Sequence, residues 1–152
     1  MTFTLSSSPL PSLPELVSLY DSVRWTAYTR EPERLREALE NSGFFWTARS
    51  EDGELIGLIR GLTDRVSILF VQDILVRPEW QRCGVGRALM ERMLAEYGHI
   101  RQMVLLTDDE PKQLAFYASL GFVAHERVDV PLPDGVELPC VRMTRLVDDD
   151  SR

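Results

Sequence analysis

The chain has 152 residues, 44% of them hydrophobic and 27% charged, with a formal net charge of −7. That length and mixture suit one globular domain with a core of its own, and the acidic balance argues against a nucleic-acid partner. No apolar run approaches the ~18 residues of a membrane span, and no basic segment leads a hydrophobic one at the N-terminus.

The expected location is therefore cytoplasmic, with no membrane partner. Cys83 and Cys140 form no Cys-x-x-Cys pair, and His99 and His125 lack ligand-like spacing, so no metal centre is expected. An acidic chain favours cationic partners, amines among them.

In chain order, Thr2 to Leu5 can form a short first strand. Ser12-Leu13-Pro14-Glu15 reads as a capping box opening a helix that carries Leu13, Leu16, Val17, Tyr20 and Val23 at helical spacing. Trp25 to Arg30 is a connection. Pro32 suits the first turn of a second helix with Leu35, Ala38 and Leu39, and Gly43 stops it. Phe44 to Arg49 and Leu55 to Leu62 are paired strands around an Asp-Gly turn at Asp52-Gly53. Val66 to Val76 is nearly continuously apolar, the pattern of a central strand buried on both faces.

A helix after the next loop places Val85, Leu89 and Met93 on one stripe, broadened by Ala88 and Leu94. Met103 to Leu106 reads as a further buried strand. Asp108 or Asp109 can cap a helix that begins near Pro111 and ends before Gly121. Phe122 to Val130 and Pro139 to Leu146 can pair as final antiparallel strands, joined by the turn 131–135. The order β-α-α-β-β-β-α-β-α-β-β predicts an α/β (α+β) fold, a mixed sheet with helices on both faces. Residues 1–147 are expected to be a single domain, followed by an acidic tail, 148–152.

The most informative segment joins the long strand to its helix: Leu75, Val76, then Gln81, Arg82, Cys83, Gly84, Val85, Gly86, Arg87 and Ala88. A polar loop with two glycines that opens a helix exposes backbone N–H groups at the positive end of the helix dipole. Such a loop suits an anionic phosphate. Arg82 and Arg87 add positive charge. A dinucleotide fingerprint would need glycine where Leu89 stands, and the Gly-Lys-Ser/Thr of a Walker loop is absent.

The segment resembles the acyl-CoA signature of the GNAT superfamily of N-acyltransferases, Gln/Arg-x-x-Gly-x-Gly/Ala, met by Gln81, Gly84 and Gly86. Ala115-Phe116-Tyr117-Ala118-Ser119-Leu120-Gly121-Phe122 is similar to the family's later helix, with its tyrosine and a Gly-Phe entry to a strand. The resemblance covers most of the chain and implies a mostly antiparallel central sheet flanked by helices. It implies acetyl-CoA as cosubstrate, its pyrophosphate on the backbone amides of the glycine loop and its pantetheine arm along Leu75 and Val76.

The resemblance gives Tyr117 the role of protonating the departing CoA thiolate; the alternative is a helix tyrosine packed on the core beside Phe116. Asp73 interrupts the apolar strand, and amino-sugar acetyltransferases of the family carry a similar Asp-Ile-x-Val segment beside the reacting centre. Two readings of Asp73 stand side by side: a base for the attacking amine, or a structural carboxylate satisfied by backbone amides or an arginine. Gln72 is the alternative cleft residue, because neighbouring strand residues point oppositely. Trp25, Thr26, Ala27 and Tyr28 match the family's acceptor-lining connection, with a core role for Trp25 the alternative. Many relatives carry an asparagine where Glu110 stands here, so Glu110 receives no binding role.

The resulting expectation is direct acetyl transfer, in a ternary complex, from acetyl-CoA to a primary amine of a small metabolite, amino sugar or polyamine in type. A protein or peptide N-acetyltransferase and a non-catalytic CoA-binding sensor are the alternatives. The exposed final strands leave a homodimer open.

Overall fold

The computed structural model describes residues 2–132 and 135–147. The expected acidic tail, and positions 133 and 134 of the expected last turn, lie outside the described residues. The elements are β1 (Phe3–Ser6), α1 (Leu13–Ser22), α2 (Thr26–Thr29), α3 (Pro32–Glu40), β2 (Phe44–Ser50), β3 (Leu55–Thr63), β4 (Ile68–Val76), α4 (Val85–Tyr97), β5 (Gln102–Asp108), α5 (Pro111–Ala118), β6 (Val123–Pro131) and β7 (Glu137–Leu146). A single 3₁₀ turn, Pro78–Trp80, precedes the glycine loop. Among the described residues, seven strands form one sheet in the order β1-β2-β3-β4-β5-β7-β6. β4 and β5 pair in parallel, whereas β1/β2, β2/β3, β5/β7 and β6/β7 pair antiparallel, so the sheet is mixed and mostly antiparallel.

The chain packs as two compact units. One comprises the chain up to Leu62 together with Asp73–Tyr97; the other comprises Thr63–Gln72 and the chain from Gly98 onward. In the first, Leu16, Leu19 and Tyr20 of α1 meet Leu35 and Leu39 of α3 and Leu55, Leu58 and Leu75 of the strands in one apolar cluster. Phe44, Trp46 and Tyr97 add an aromatic group with ring centroids 5.5 to 6.0 Å apart. In the second, β7 lies between β5 and β6, with Met103 and Leu105 opposite Arg145 and Met143. Leu69, Ile100, Met103 and Met143 are its most buried side chains. β6 forms the open edge and exposes most of its residues.

Several expectations need correction. The connection 25–30 contains a one-turn helix, α2, because the Arg30 amide reaches back to the Thr26 carbonyl at 3.2 Å. β4 begins at Ile68 rather than Val66, which is 73% exposed. The Asp64 carboxylate takes the amides of Val66, Ser67 and Ile68 and holds that stretch as a turn. β4 is also not buried on both faces: Leu69, Val71, Asp73 and Leu75 are buried, while Ile68 and Gln72 are exposed. β5 alternates in the same way, leaving Leu106 exposed. On α4 the stripe of Val85, Leu89 and Met93 continues through Met90 and Tyr97, whereas Ala88 and Leu94 are half-buried. Finally, Glu110 occupies the N-cap of α5, without a side-chain capping bond, in place of Asp108 or Asp109. Among the described residues no helix is long and apolar enough to cross a membrane.

The capping box of α1 is fully formed. The Ser12 hydroxyl accepts the Glu15 amide at 3.3 Å, and the Glu15 carboxylate accepts the Ser12 amide at 3.0 Å. Arg49 of β2 also donates to Glu15, tying the start of α1 to the sheet. The Arg49 hydrogen bond is the largest cause of the drop of the Glu15 pKa from 4.5 to about 2. A depressed folded pKa stabilises above the unfolded value and loses that contribution as pH falls through the folded one. Glu15→Gln should therefore flatten the stability-against-pH curve between pH 4.5 and 2. Ser12→Ala should cost about 1 kcal/mol at neutral pH. Urea titrations across that range check both, and an unchanged acid slope in Glu15→Gln contradicts the first.

Candidate active site

β4 ends at Val76, and the chain reaches α4 through Arg77, the Pro78–Trp80 turn and a four-residue loop, Gln81 to Gly84. The loop alternates hand: Arg82 has φ +65° and Gly84 φ +86°, with Cys83 between them outside the left-handed region. Such alternation turns successive N–H groups toward one side and makes an anion-binding concavity. The first bond of the helical ladder runs from the Ala88 amide to the Gly84 carbonyl at 3.0 Å. The amides before Ala88 therefore lie outside the helix's own ladder, at the positive end of α4.

A Cβ placed on Gly84 would have no heavy atom within 4 Å. The glycine is demanded by backbone conformation, and the space beside it is open, as a phosphate cradle requires. The Gln81 side-chain amide donates to the Val76 carbonyl at 3.1 Å and so folds the loop back on the strand end. Cys83 is half-buried and free, and its thiol lies 3.6 Å from the Gln81 carbonyl.

Asp73 is 3% exposed and accepts three donors. Arg60 Nε lies 2.6 Å from Oδ2, the Tyr20 hydroxyl 3.0 Å from Oδ2, and the Tyr28 hydroxyl 2.8 Å from Oδ1. Arg60 is buried too, and its guanidinium lies 5.7 Å from the Tyr28 ring centroid. Burial first, then the neighbouring carboxylate, pushes the Tyr20 phenol well above 10, so it remains a donor. A carboxylate saturated in this way adopts the arginine-paired arrangement, one of the two read from the sequence.

Arg60 and Tyr20 carry this geometry, yet neither was singled out in the sequence. Arg60 interrupts the apolar run of β3 as Asp73 interrupts that of β4. Two opposite charges in adjacent buried strands were the available signal, since neither can be buried cheaply alone. Tyr20 looked like one more apolar position on α1.

The rings of Tyr20, Trp25 and Tyr28 lie 5.1 to 6.3 Å apart. Trp25 is 37% exposed and Tyr28 half-buried, so the aromatic group opens to solvent through Trp25. Thr26 and Ala27 are exposed on α2, and Gln72 is exposed on the strand face opposite Asp73.

In the other unit, Tyr117 of α5 is buried against Phe116 and Phe122, with centroids at 5.0 and 6.1 Å. Burial, then the nearby Asp108 carboxylate, raises its pKa, so the phenol keeps its proton at neutral pH. His125 shares a 2.6 Å hydrogen bond with Thr144 across β6 and β7. Among the described residues no group of three or more His, Cys, Asp or Glu could hold a metal ion.

A family model described as acetyltransferase (GNAT) family matches residues 10–122. The chain belongs to the GNAT family of N-acetyltransferases. Serotonin N-acetyltransferase 2, a chloroplastic protein of Oryza sativa subsp. japonica, is 38% identical over 96 residues, covering 61% of this chain and 48% of that protein. The chain thus spans about half the length of that relative. A GNAT-family acetyltransferase from Streptococcus pneumoniae TIGR4 superposes with a TM-score of 0.70 at 34% identity, covering 80% of this chain and 88% of the other. An aminoglycoside 6′-N-acetyltransferase complexed with coenzyme A shares the fold, with a TM-score of 0.74 at 15% identity over 94% and 96% of the two chains.

The Asp73 cluster yields a stability prediction. Removing one partner of a buried ion pair leaves an uncompensated charge and costs about 3–5 kcal/mol. Asp73→Asn and Arg60→Met should each lose that amount in chemical denaturation. The double variant should lose less than the sum, because no buried charge is then unpaired. An Asp73→Asn variant as stable as wild type but unable to turn over would instead make Asp73 a reacting group.

Proposed function

We propose that this chain transfers the acetyl group of acetyl-CoA directly to a primary amine of a small molecule. The observation that carries the reading is the glycine turn before α4: Gly84 at φ +86° with open space around it, at the positive end of a helix. Arg82, Cys83, Gly84, Val85, Gly86, Arg87 and Ala88 would hold the pyrophosphate mainly through backbone groups, with Gln81 fixing the loop. The backbone at Leu75 and Val76 would pair with the pantetheine arm.

In the transfer, the neutral amine nitrogen attacks the thioester carbonyl carbon. The C–N bond forms, the C–S bond breaks, and the electron pair leaves on sulfur. The amine nitrogen loses its extra proton to water, and Tyr117 is the proposed donor of a proton to the thiolate, later restored from solvent. Holding both substrates together supplies much of the acceleration. Asp73 is better suited to holding Tyr28 and Tyr20 than to accepting a proton, since its oxygens already take three donors. Trp25 and Tyr28 are the proposed acceptor-side contacts.

Amino sugars and polyamines are the first acceptors to test. The exposed Trp25 beside Tyr28 favours an arylalkyl amine as second reading, because the ring of such an acceptor can stack on those rings. The rice relative's name, which includes serotonin, supports trying it.

Thiol release from acetyl-CoA should be measured against a panel of amino sugars, polyamines, arylalkyl amines and short peptides. Tyr117→Phe keeps the ring and removes the proton donor, so turnover should fall ~10²–10⁴-fold while acetyl-CoA affinity holds. A loss below about threefold would contradict Tyr117 as the acid. Gly84→Glu adds both a strained φ and a negative charge, and should abolish CoA binding in a folded protein. Unchanged calorimetric affinity would remove the cosubstrate assignment.

A further inference from the structure

Gly57 lies in the interior of β3, buried and paired with Ala48 of β2. Its backbone is outside the left-handed region, so conformation does not demand glycine there. Space does. A Cβ at Gly57 would meet Val85 Cγ1 at 3.0 Å, the Leu75 carbonyl oxygen at 3.2 Å and Leu89 Cδ1 at 3.4 Å. Val85 is the first residue of α4, directly after the glycine loop, and Leu75 belongs to the strand end that leads into it. One missing methyl thus sets how closely both approach β3.

The residues beside Gly57 fasten the same stretch. The Ile56 carbonyl accepts the Arg77 amide at 2.8 Å, and the Leu55 carbonyl accepts Arg77 Nε at 2.7 Å. Arg77 Nη2 continues to the Ser18 hydroxyl at 2.8 Å. With Gln81 bound to the Val76 carbonyl, the strand end, the loop and the helix start rest on Leu55-Ile56-Gly57. A methyl at 57 requires Val85 and the Leu75 backbone to give by a few tenths of an ångström, and the close-packed interior and the backbone nature of the Leu75 atom oppose that shift.

We infer that Gly57 is a positioning residue for the acetyl donor. It sets the spacing between the loop amides that would take the pyrophosphate and the strand backbone that would take the pantetheine arm. Gly57 touches neither group itself. The inference rests on the acetyl-CoA reading above and extends it to a residue outside the signature motif.

The test uses the full chain with coenzyme A as calorimetric probe and acetyl-CoA in steady-state kinetics. Gly57→Ala should weaken coenzyme A binding on the order of tenfold, and raise the KM for acetyl-CoA by a similar factor with kcat changed little. Gly57→Ala/Val85→Ala removes the nearest clash and keeps the one with the Leu75 carbonyl. It should bind coenzyme A more tightly than Gly57→Ala and more weakly than wild type. If the single variant does not fold, the weaker-than-wild-type affinity of the double variant carries the test. A merely structural glycine would lower the melting temperature while leaving the affinity of the folded protein unchanged, and that result overturns the inference alone. A wild-type chain that binds no coenzyme A overturns the acetyl-CoA reading and this inference together.

Discussion

The first turn of α4 sits so close to β3 that a side chain in place of Gly57 would have to displace it by a few tenths of an ångström, and the candidate cosubstrate site follows from that seat. β4 and α4 are joined by a short loop, so the strand end and the helix start must approach the same support. Gly57 gives them room, and Arg77 fastens the junction to the carbonyls of Leu55 and Ile56. The loop is then left to turn through positive φ at Arg82 and Gly84, with its amides outside the helical ladder. An anion at this place would replace interactions that the backbone otherwise makes with water. Glycine at 84 answers a conformational demand; glycine at 57 answers a packing demand.

A second constraint shapes the proposed acceptor side. Asp73 alone in a buried strand would be untenable, and Arg60 alone equally so. Together they form a neutral unit that also satisfies the phenols of Tyr20 and Tyr28. The pair therefore fixes the end of α1 and the short α2 against the strands, and leaves Trp25 as the exposed member of an aromatic group. The arrangement accounts for an acidic residue in a strand without asking it to move a proton. It also explains why α2 forms at all: its four residues have no buried side chain, but Tyr28 is tied to Asp73.

Much of this was legible in the sequence where a local rule acts alone. Ser12 and Glu15 announced the start of α1, and Gln81, Gly84 and Gly86 marked the loop before α4. The sheet's mixed, mostly antiparallel character followed from element order and family likeness. What escaped were features set by partners distant in the chain. A nearly continuous apolar run suggested that β4 is buried on both faces, yet hydrophobicity does not say which faces are covered, and Gln72 and Ile68 are exposed. Asp64 pulled Val66 out of the strand through three amide bonds that no periodicity encodes. Arg60 and Gly57 were visible as letters, but their meaning lies in Asp73, Val85 and Leu75, which the sequence does not place beside them.

The central claim is that the amides opening α4 take the anionic part of acetyl-CoA. Hydrogen–deuterium exchange of the full chain with and without coenzyme A tests it most directly. The account predicts slowed exchange concentrated at residues 82–88 and the adjoining end of β4, with the edge strand β6 unchanged. Coenzyme A that binds while residues 82–88 exchange at their free rate would contradict it.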